Sequence, residues 1–306
     1  MIVIGECIHV ISTQVRIAIE NKDKAFIQDL ARRQQDAGAN YIDLNIGPQK
    51  RAGAEVMTWM VDTVQEVVDV PLSLDTTNPT AMEAGLSRCK LRPIVNSTDA
   101  TPERLEAMVP LAAKYGANII ALTLASGGLP NSTDARITLA LENILPVMME
   151  HGISTEDIFF DPLVLTINGN QDQVAPTLEA FRFFKQMAEP PPLTTCGLSN
   201  ISNSAPRELR PLLNRVFAVM ATGAGLDSAI ADPLDADLME TLRIIDTRDD
   251  STLKGKVFLG LYDAYVAGST FDSSPFDPQN SEIRDILKTI DVLENKWIYA
   301  HSYLRL

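Results

Sequence analysis

Two stretches of the chain, "LSLDTTN" (72–78) and "PIVNST" (93–98), end apolar runs on side chains that hydrogen-bond in a fixed direction, Asp75 and Asn96. The pattern recurs with Glu6, Asp43, Asn45, Thr123, Asp161, Asn200 and Asp232. A carboxylate accepts two parallel N–H bonds, and an amide both donates and accepts. Together these groups suit a neutral heterocycle whose N–H donors stand beside a carbonyl, the pattern of a pterin's amino-pyrimidinone edge. Lys and Arg are nearly absent from the same endings. The Gly-rich "ATGAGLD" (221–227) precedes an apolar run instead of following one, so the cation or anion nest that a phosphate substrate requires is missing.

A helix N-cap is an equal claim on any single Asp or Asn. Asp99 before "ATPE" and Asp232 before Pro233 read as caps or turns. Asp43 and Asn45 alternate along one strand, so both face the same side and read as supports. Asp75, Asn96, Asp161 and Asn200 are the four on which a site rests. Metal and covalent chemistry find little footing. His9, His151 and His301 show no ligand spacing, and Cys7 with His9 alone is not a zinc site. His151 and His301 read as bystanders, and His9 as a residue bordering the site.

The elements that must position these residues are eight strand-like runs. They read "IVIGE" (2–6), "YIDLNI" (41–46), "PLSLDTT" (71–77), "PIVNST" (93–98), "NIIALTL" (118–124), "IFFDPLV" (158–164), "TTCGLSN" (194–200) and "SAIAD" (228–232). Amphipathic helical stretches lie between them, opened by Asn, Thr or Ser before Pro or an acid and closed by Gly. "DKAFIQDLARRQQDAGA" places Phe26, Leu30 and Ala31 on one face, with Gly38 as its stop. Eight strand–helix repeats predict a (β/α)8 TIM barrel, whose strand C-termini meet around one mouth. A doubly wound sheet would carry G-x-G-x-x-G after its first strand, and none is present. Cys196 falls inside the seventh run as a small core residue.

The barrel is expected over residues 1–250, and an appended C-terminal helical hairpin over 251–306, packed on the barrel or on a dimer partner. In its last helix an apolar stripe runs through Ile283, Ile286, Leu287, Ile290, Leu293 and Trp297. Three cysteines without close spacing point to a reducing cytoplasm, and a net charge of −14 argues against nucleic acid and anionic membranes. No apolar run has the length of a membrane span, and the apolar start lacks the basic leader of a signal peptide.

The motifs "IGE" (4–6), "DLNIGP" (43–48), "LDTTN" (74–78), "VNST" (95–98), "DPLVL" (161–165) and "GLSNIS" (197–202) resemble the methyltetrahydrofolate:corrinoid-protein methyltransferases, pterin-binding barrels akin to dihydropteroate synthase. The resemblance spans residues 1–248. It implies a homodimeric barrel that moves a methyl group between N5 of tetrahydrofolate and the cobalt of a cobalamin carried by a separate corrinoid protein, with no metal on this chain. Asp75, Asn96 and Asp161 would match the pterin-binding residues, and Asn200 the amide that reaches N5. Gly197 and Ser199 would shape the loop beside the ring, and Asn203 stands where some members have a glutamine near the substrate. Glu6, Asp43 and Asn45 would support them. "GECIH" replaces the frequent "GERIN", putting Cys7 and His9 in place of an arginine and an asparagine. That departure and the extra helices favour an O-demethylase-type role, forming methyltetrahydrofolate, over donation to a corrinoid iron-sulfur protein in acetyl-CoA synthesis. A silent folate-binding scaffold and, further off, dihydropteroate synthase are the other readings.

Overall fold

The computed structural model describes residues 1–48 and 52–305. Eight parallel strands form one sheet in the order β7-β6-β5-β4-β3-β2-β1-β8. They are β1 (Ile2–His9), β2 (Tyr41–Asn45), β3 (Leu72–Asp75), β4 (Ile94–Asp99), β5 (Asn118–Leu122), β6 (Ile158–Asp161), β7 (Leu193–Thr194) and β8 (Ser228–Ala231). Helices connect them on the outside, so the architecture is the expected (β/α)8 barrel. Inside, Ile4, Ile94, Ile120 and Phe159 pack with Tyr41, Leu122, Leu193 and Ile230, plugging the barrel with branched and aromatic side chains.

Two strands depart from the sequence reading. β1 runs past Glu6 to His9, with an irregularity between Gly5 and Ile8 where its register against β2 shifts. Such a bulge re-aims side chains at a barrel rim. β7 has only two residues. "TTCGLSN" carries β-branched residues, but Leu198–Ser202 winds into a 3₁₀ turn. Cys196 is fully buried as expected, yet it lies beyond the strand.

The shortness of β7 leaves a seam against β8 that side chains help to close. Asp227 Oδ2 accepts from Lys185 Nζ at 2.8 Å and from the Thr194 N–H at 2.9 Å. Thr194 Oγ1 donates to Gly225 O at 2.6 Å, and the Asp227 N–H donates back to it at 2.9 Å. Further up, the Ile230 N–H donates to Cys196 O at 2.9 Å, where Gly197 pairs with Ile230.

Helix capping assigns many of the short polar side chains to separate duties. Asn78, Ser132, Asp235, Thr252 and Asn280 each accept an N–H from the first turn of a following helix. Asp99 accepts the Thr101 N–H and Asp232 the Leu234 N–H, as their reading as caps or turns expected. The helix after β3 thus takes its cap from Asn78, leaving Asp75 to the barrel mouth.

After β8 and its helix, Leu253–Val266 and Ser281–Leu293 form two more helices packed on Arg210–Gly223. Gly223 permits the close approach: a Cβ there would meet Tyr262 O at 2.6 Å. Ile283, Ile286, Ile290 and Leu293 are buried as the stripe predicts. Trp297 is not on that helix, which ends at Leu293, and Asn295 turns the chain with φ of 58°. Gln171 ties this segment to the connection after β6, donating to Val292 O at 2.6 Å and accepting the Tyr299 N–H at 2.8 Å. No helix among the described residues is long and apolar enough to cross a membrane.

The closure by Asp227 gives a test. Asp227→Ala leaves the Thr194 N–H without its acceptor and the Lys185 ammonium with Pro192 O alone, and is expected to lower stability by about 2 kcal/mol. A urea midpoint that does not move would mean that the seam is held elsewhere.

Candidate functional site

Parallel register sets the polar side chains in rows across the mouth. His9 pairs with Asn45, Asn45 with Asp75, and Asp75 with Asn96. Adjacent strands are about 4.8 Å apart, so this row places four polar groups side by side. One level below, Asp43 pairs with Ser73. On the far side Asp99 pairs with Leu122, and Leu122 with Asp161.

Hydrogen bonds fix the row. Asn45 Nδ2 donates to Asp75 Oδ2 at 2.5 Å, while its Oδ1 accepts the Gly47 N–H at 3.0 Å. Gly47 adopts φ of 66°, which its lack of a Cβ permits. Asp43 Oδ1 accepts from Ser73 Oγ at 2.6 Å and from Asn96 Nδ2 at 3.0 Å. Asp43 and Asn45 therefore orient Asn96 and Asp75, the support that their alternation predicts. Asp161 Oδ1 accepts the Leu163 N–H at 2.8 Å in the turn after β6.

Above the row opens a cavity of about 260 Å³ lined by Glu6, His9, Ile11, Asp43, Asn45, Asp75, Ser199, Asn200 and Ile230. Ile230 belongs to the barrel plug and forms part of the lining from below. Ser199 Oγ donates to Glu6 Oε2 at 3.5 Å, and Asn200 stands exposed on the 3₁₀ turn. Asn96 and Asp161 are buried at 7% and 5% exposure and do not reach this lining. Gly197 sits at the base of the turn. Asn203 is separate: its Oδ1 accepts the Ser204 N–H, and it does not line the cavity. His151 and His301 are exposed and remote from the lining. Glu6 and His9 also line a second cavity, of about 330 Å³, with Cys7 and Asp232. There Cys7 Sγ donates to Asp232 Oδ1 at 3.1 Å.

Burial dominates the electrostatics. It pushes Glu6 up to about 7, with the Asp232 carboxylate adding to the rise and Ser199 opposing it. Asp161 also rises to about 7 through burial, against the Leu163 N–H and the charge of Arg136. Burial raises both Asp43 and Asp75, and each resists ionisation further while the other is charged. Desolvation lowers His9.

Two arginines approach the carboxylates, and no strand ending announces either one. Arg104, on the helix Pro102–Tyr115, donates to Thr77 O at 2.9 Å and Ser97 O at 2.5 Å, and its charge opposes the rise at Asp75. Arg136, on the helix Thr133–Thr138, is fully buried. Their only sequence signal is an arginine within a helical turn shortly after a strand ending. Both are engaged by backbone carbonyls, so their presence does not make a phosphate nest.

The family described as "Pterin binding enzyme" matches residues 14–232. A methylcorrinoid:tetrahydrofolate methyltransferase of Eubacterium limosum is 33% identical over 247 residues, covering 78% of this chain and 88% of that protein. The methionine synthase of Mycobacterium leprae is 30% identical over 240 residues, which are 75% of this chain and 20% of that protein, so the match spans about a fifth of the larger enzyme. Among solved structures, Yersinia pestis dihydropteroate synthase superposes with a TM-score of 0.56 at 18% identity, over 74% of this chain and 89% of that one, a likeness of fold.

Asp161 supplies a pH prediction. An unfolded Asp ionises near ~3.9, whereas the folded carboxyl does so near 7. Between those values the folded protein keeps a proton that the unfolded chain has lost. This group's contribution to stability therefore falls as pH rises from about 4 to about 7, and stays low above. Asp161→Asn is expected to stabilise the ligand-free protein on the order of 2 kcal/mol at about pH 8, a gain that shrinks toward about pH 4. Thermal melts of both proteins across that range check it.

Proposed function

Since the chain belongs to the pterin-binding enzyme family, we propose that it transfers a methyl group from a methylated corrinoid, carried by a separate protein, to N5 of tetrahydrofolate. The observation that carries this reading is the hydrogen-bonded row of Asn45, Asp75 and Asn96 at the mouth, in a chain similar over most of its length to a protein named for that reaction. In this reading Asp75 holds the pterin edge from the cavity lining and Asn96 and Asp161 from deeper in the mouth, with Asp43, Asn45 and Glu6 supporting them. Carboxylates accept the ring's N–H donors, and the Asn96 amide meets a ring acceptor or donor. Holding the edge points N5 out of the barrel toward the incoming methyl group, which supplies proximity and orientation.

Asn200, on the exposed turn, is the group assigned to N5. Its amide bonds N5 as the C–N bond forms, or breaks in the reverse direction. A hydrogen bond that strengthens toward the transition state lowers the barrier where equal binding of both states would not. N5 of tetrahydrofolate loses a proton on methylation. Glu6 faces the same cavity and titrates near 7, so it is the carboxylate suited to receive that proton. Gly197 and Ser199 shape the turn, and Asn203 closes it. The methyl-corrinoid is a co-substrate that supplies the electrophilic methyl group, and the open mouth leaves N5 accessible to it.

The physiological direction we favour is formation of methyltetrahydrofolate, in line with the relative's name, and the setting we favour is a demethylation system of the O-demethylase type. We place the protein in the cytoplasm as a homodimer, its three cysteines free. Residues 1–250 form the folate-binding unit in this reading. Residues 251–306, of which 306 lies outside the described ones, buttress it by way of Gln171 and the connection after β6.

Calorimetric titration with tetrahydrofolate and methyltetrahydrofolate is expected to show micromolar-range binding. Asp161→Ala is expected to weaken it about 10- to 100-fold. No binding of either folate would sink the reading. With methylcobalamin as donor, Asn200→Ala is expected to slow methyl transfer about 100-fold or more while folate binding holds. Unchanged turnover would remove Asn200 from its role.

A further inference from the structure

Arg136 is the most completely buried charged side chain that the reaction does not use. It is 0% exposed, and it reaches from the helix Thr133–Thr138 to the turn following β6. Its Nε donates to Pro162 O at 2.7 Å. Its Nη1 donates to Ser132 O at 3.1 Å and to Gln173 Oε1 at 3.3 Å. Its Nη2 is buried with no partner among the described residues. A guanidinium kept out of water and short of one bond is costly unless it acts on something nearby.

What it acts on is the turn Asp161-Pro162-Leu163. Leu163 stands at φ of 64°, a left-handed conformation that a residue with a Cβ adopts only where its surroundings hold it. Two bonds hold the turn there: the Leu163 N–H to Asp161 Oδ1 and Arg136 Nε to Pro162 O. The same arginine therefore fixes the Pro162–Leu163 peptide, whose N–H bonds the Asp161 carboxyl, and brings a positive charge to bear on that carboxyl. On the β7 side the buried thiol of Cys196 faces Asp161, and burial together with the charges of Asp161 and Glu6 keeps that thiol protonated.

We propose that Arg136 is a positioning residue for the folate site, pinning the turn after β6 and keeping Asp161 in the charged, oriented form that accepts the pterin's N–H donors. The inference rests on the folate reading above. The Asp161 carboxyl, which burial raises and Arg136 pulls down, titrates in the range where folate binding would be measured. The guanidinium's charge favours the ionised carboxyl, alongside the Leu163 N–H and against burial. Without the guanidinium, Asp161 holds its proton to higher pH and binding appears later in a titration.

The test is the pH dependence of tetrahydrofolate binding, measured anaerobically on the wild type, Arg136→Gln and Arg136→Lys, with thermal melts to show that each is folded. The ligand's own protonation is common to all three and cancels. In Arg136→Gln the midpoint at which binding is gained is expected to rise by about one pH unit. At about one unit below the wild-type midpoint binding is then about tenfold weaker, and the two curves converge at high pH. Arg136→Lys keeps a charge on a shorter reach and is expected to shift the midpoint less. It carries the test alone if the Gln variant does not fold. A folded variant that binds more weakly by one constant factor at every pH, its midpoint unmoved, would make Arg136 merely structural and overturn the proposal. A wild type that binds no tetrahydrofolate would instead overturn the folate reading itself, and this inference with it.

Discussion

Everything at the mouth of this barrel turns on the cost of keeping carboxylates out of water. Asp43 and Asp161 are 3% and 5% exposed, and Glu6 and Asp75 are only partly exposed. A buried carboxylate must be neutralised, paired or hydrogen-bonded. Here the pairing is partial: one or two neutral donors each, with Arg104 and Arg136 held back by backbone carbonyls. The ligand-free protein is thus left with acceptors in want of donors, arranged at strand spacing. In the proposed function, a flat heterocycle with several N–H groups on one edge supplies them. The apolar plug floors the site, and the register of β1 to β4 keeps the acceptors level.

The barrel was legible in the sequence because each strand of a parallel sheet is buried on both sides and reads as a short apolar run. The polar endings were legible because a side chain at a barrel mouth faces the site, whatever follows it. The helix caps proved to be other residues, such as Asn78 and Ser132, which is what separates the site from its commonest imitation. Less could be seen where local chemistry and tertiary closure disagree. Thr194, Thr195 and Cys196 have strand character, yet the chain turns at Leu198 because closure against β8 needs only a short edge. Trp297 matched the period of the last helix, but the period continued beyond the helix itself. Arg104 and Arg136 were missed because they arrive from helices. Nothing in a strand's own pattern reports which distant guanidinium will stand behind it.

The departure "GECIH" also has a physical content that the motif alone did not carry. Its residues lie on a bulged strand, so Glu6, Cys7 and His9 do not simply alternate. Cys7 turns to Asp232 on β8's flank, while Glu6 and His9 line two adjoining cavities. The Asp232 carboxylate raises Glu6 and counters the fall of His9, so one exposed acid couples the proton affinities of two groups on a neighbouring strand.

The seam between β7 and β8 divides the mouth into two parts. Residues that would read the ring's edge stand on strands inside the sheet, with Asn96 paired to β3 and Asp161 to β5. The turn Leu198–Ser202, which presents Asn200, meets the sheet where Gly197 pairs with Ile230, and buried Leu198, Ile201 and Ser202 anchor it. In the proposed function, recognition falls to the sheet and reactivity to this turn. A lineage of such barrels can therefore remodel the turn, and with it the group donated to the ring, while inheriting the ring's cradle unaltered.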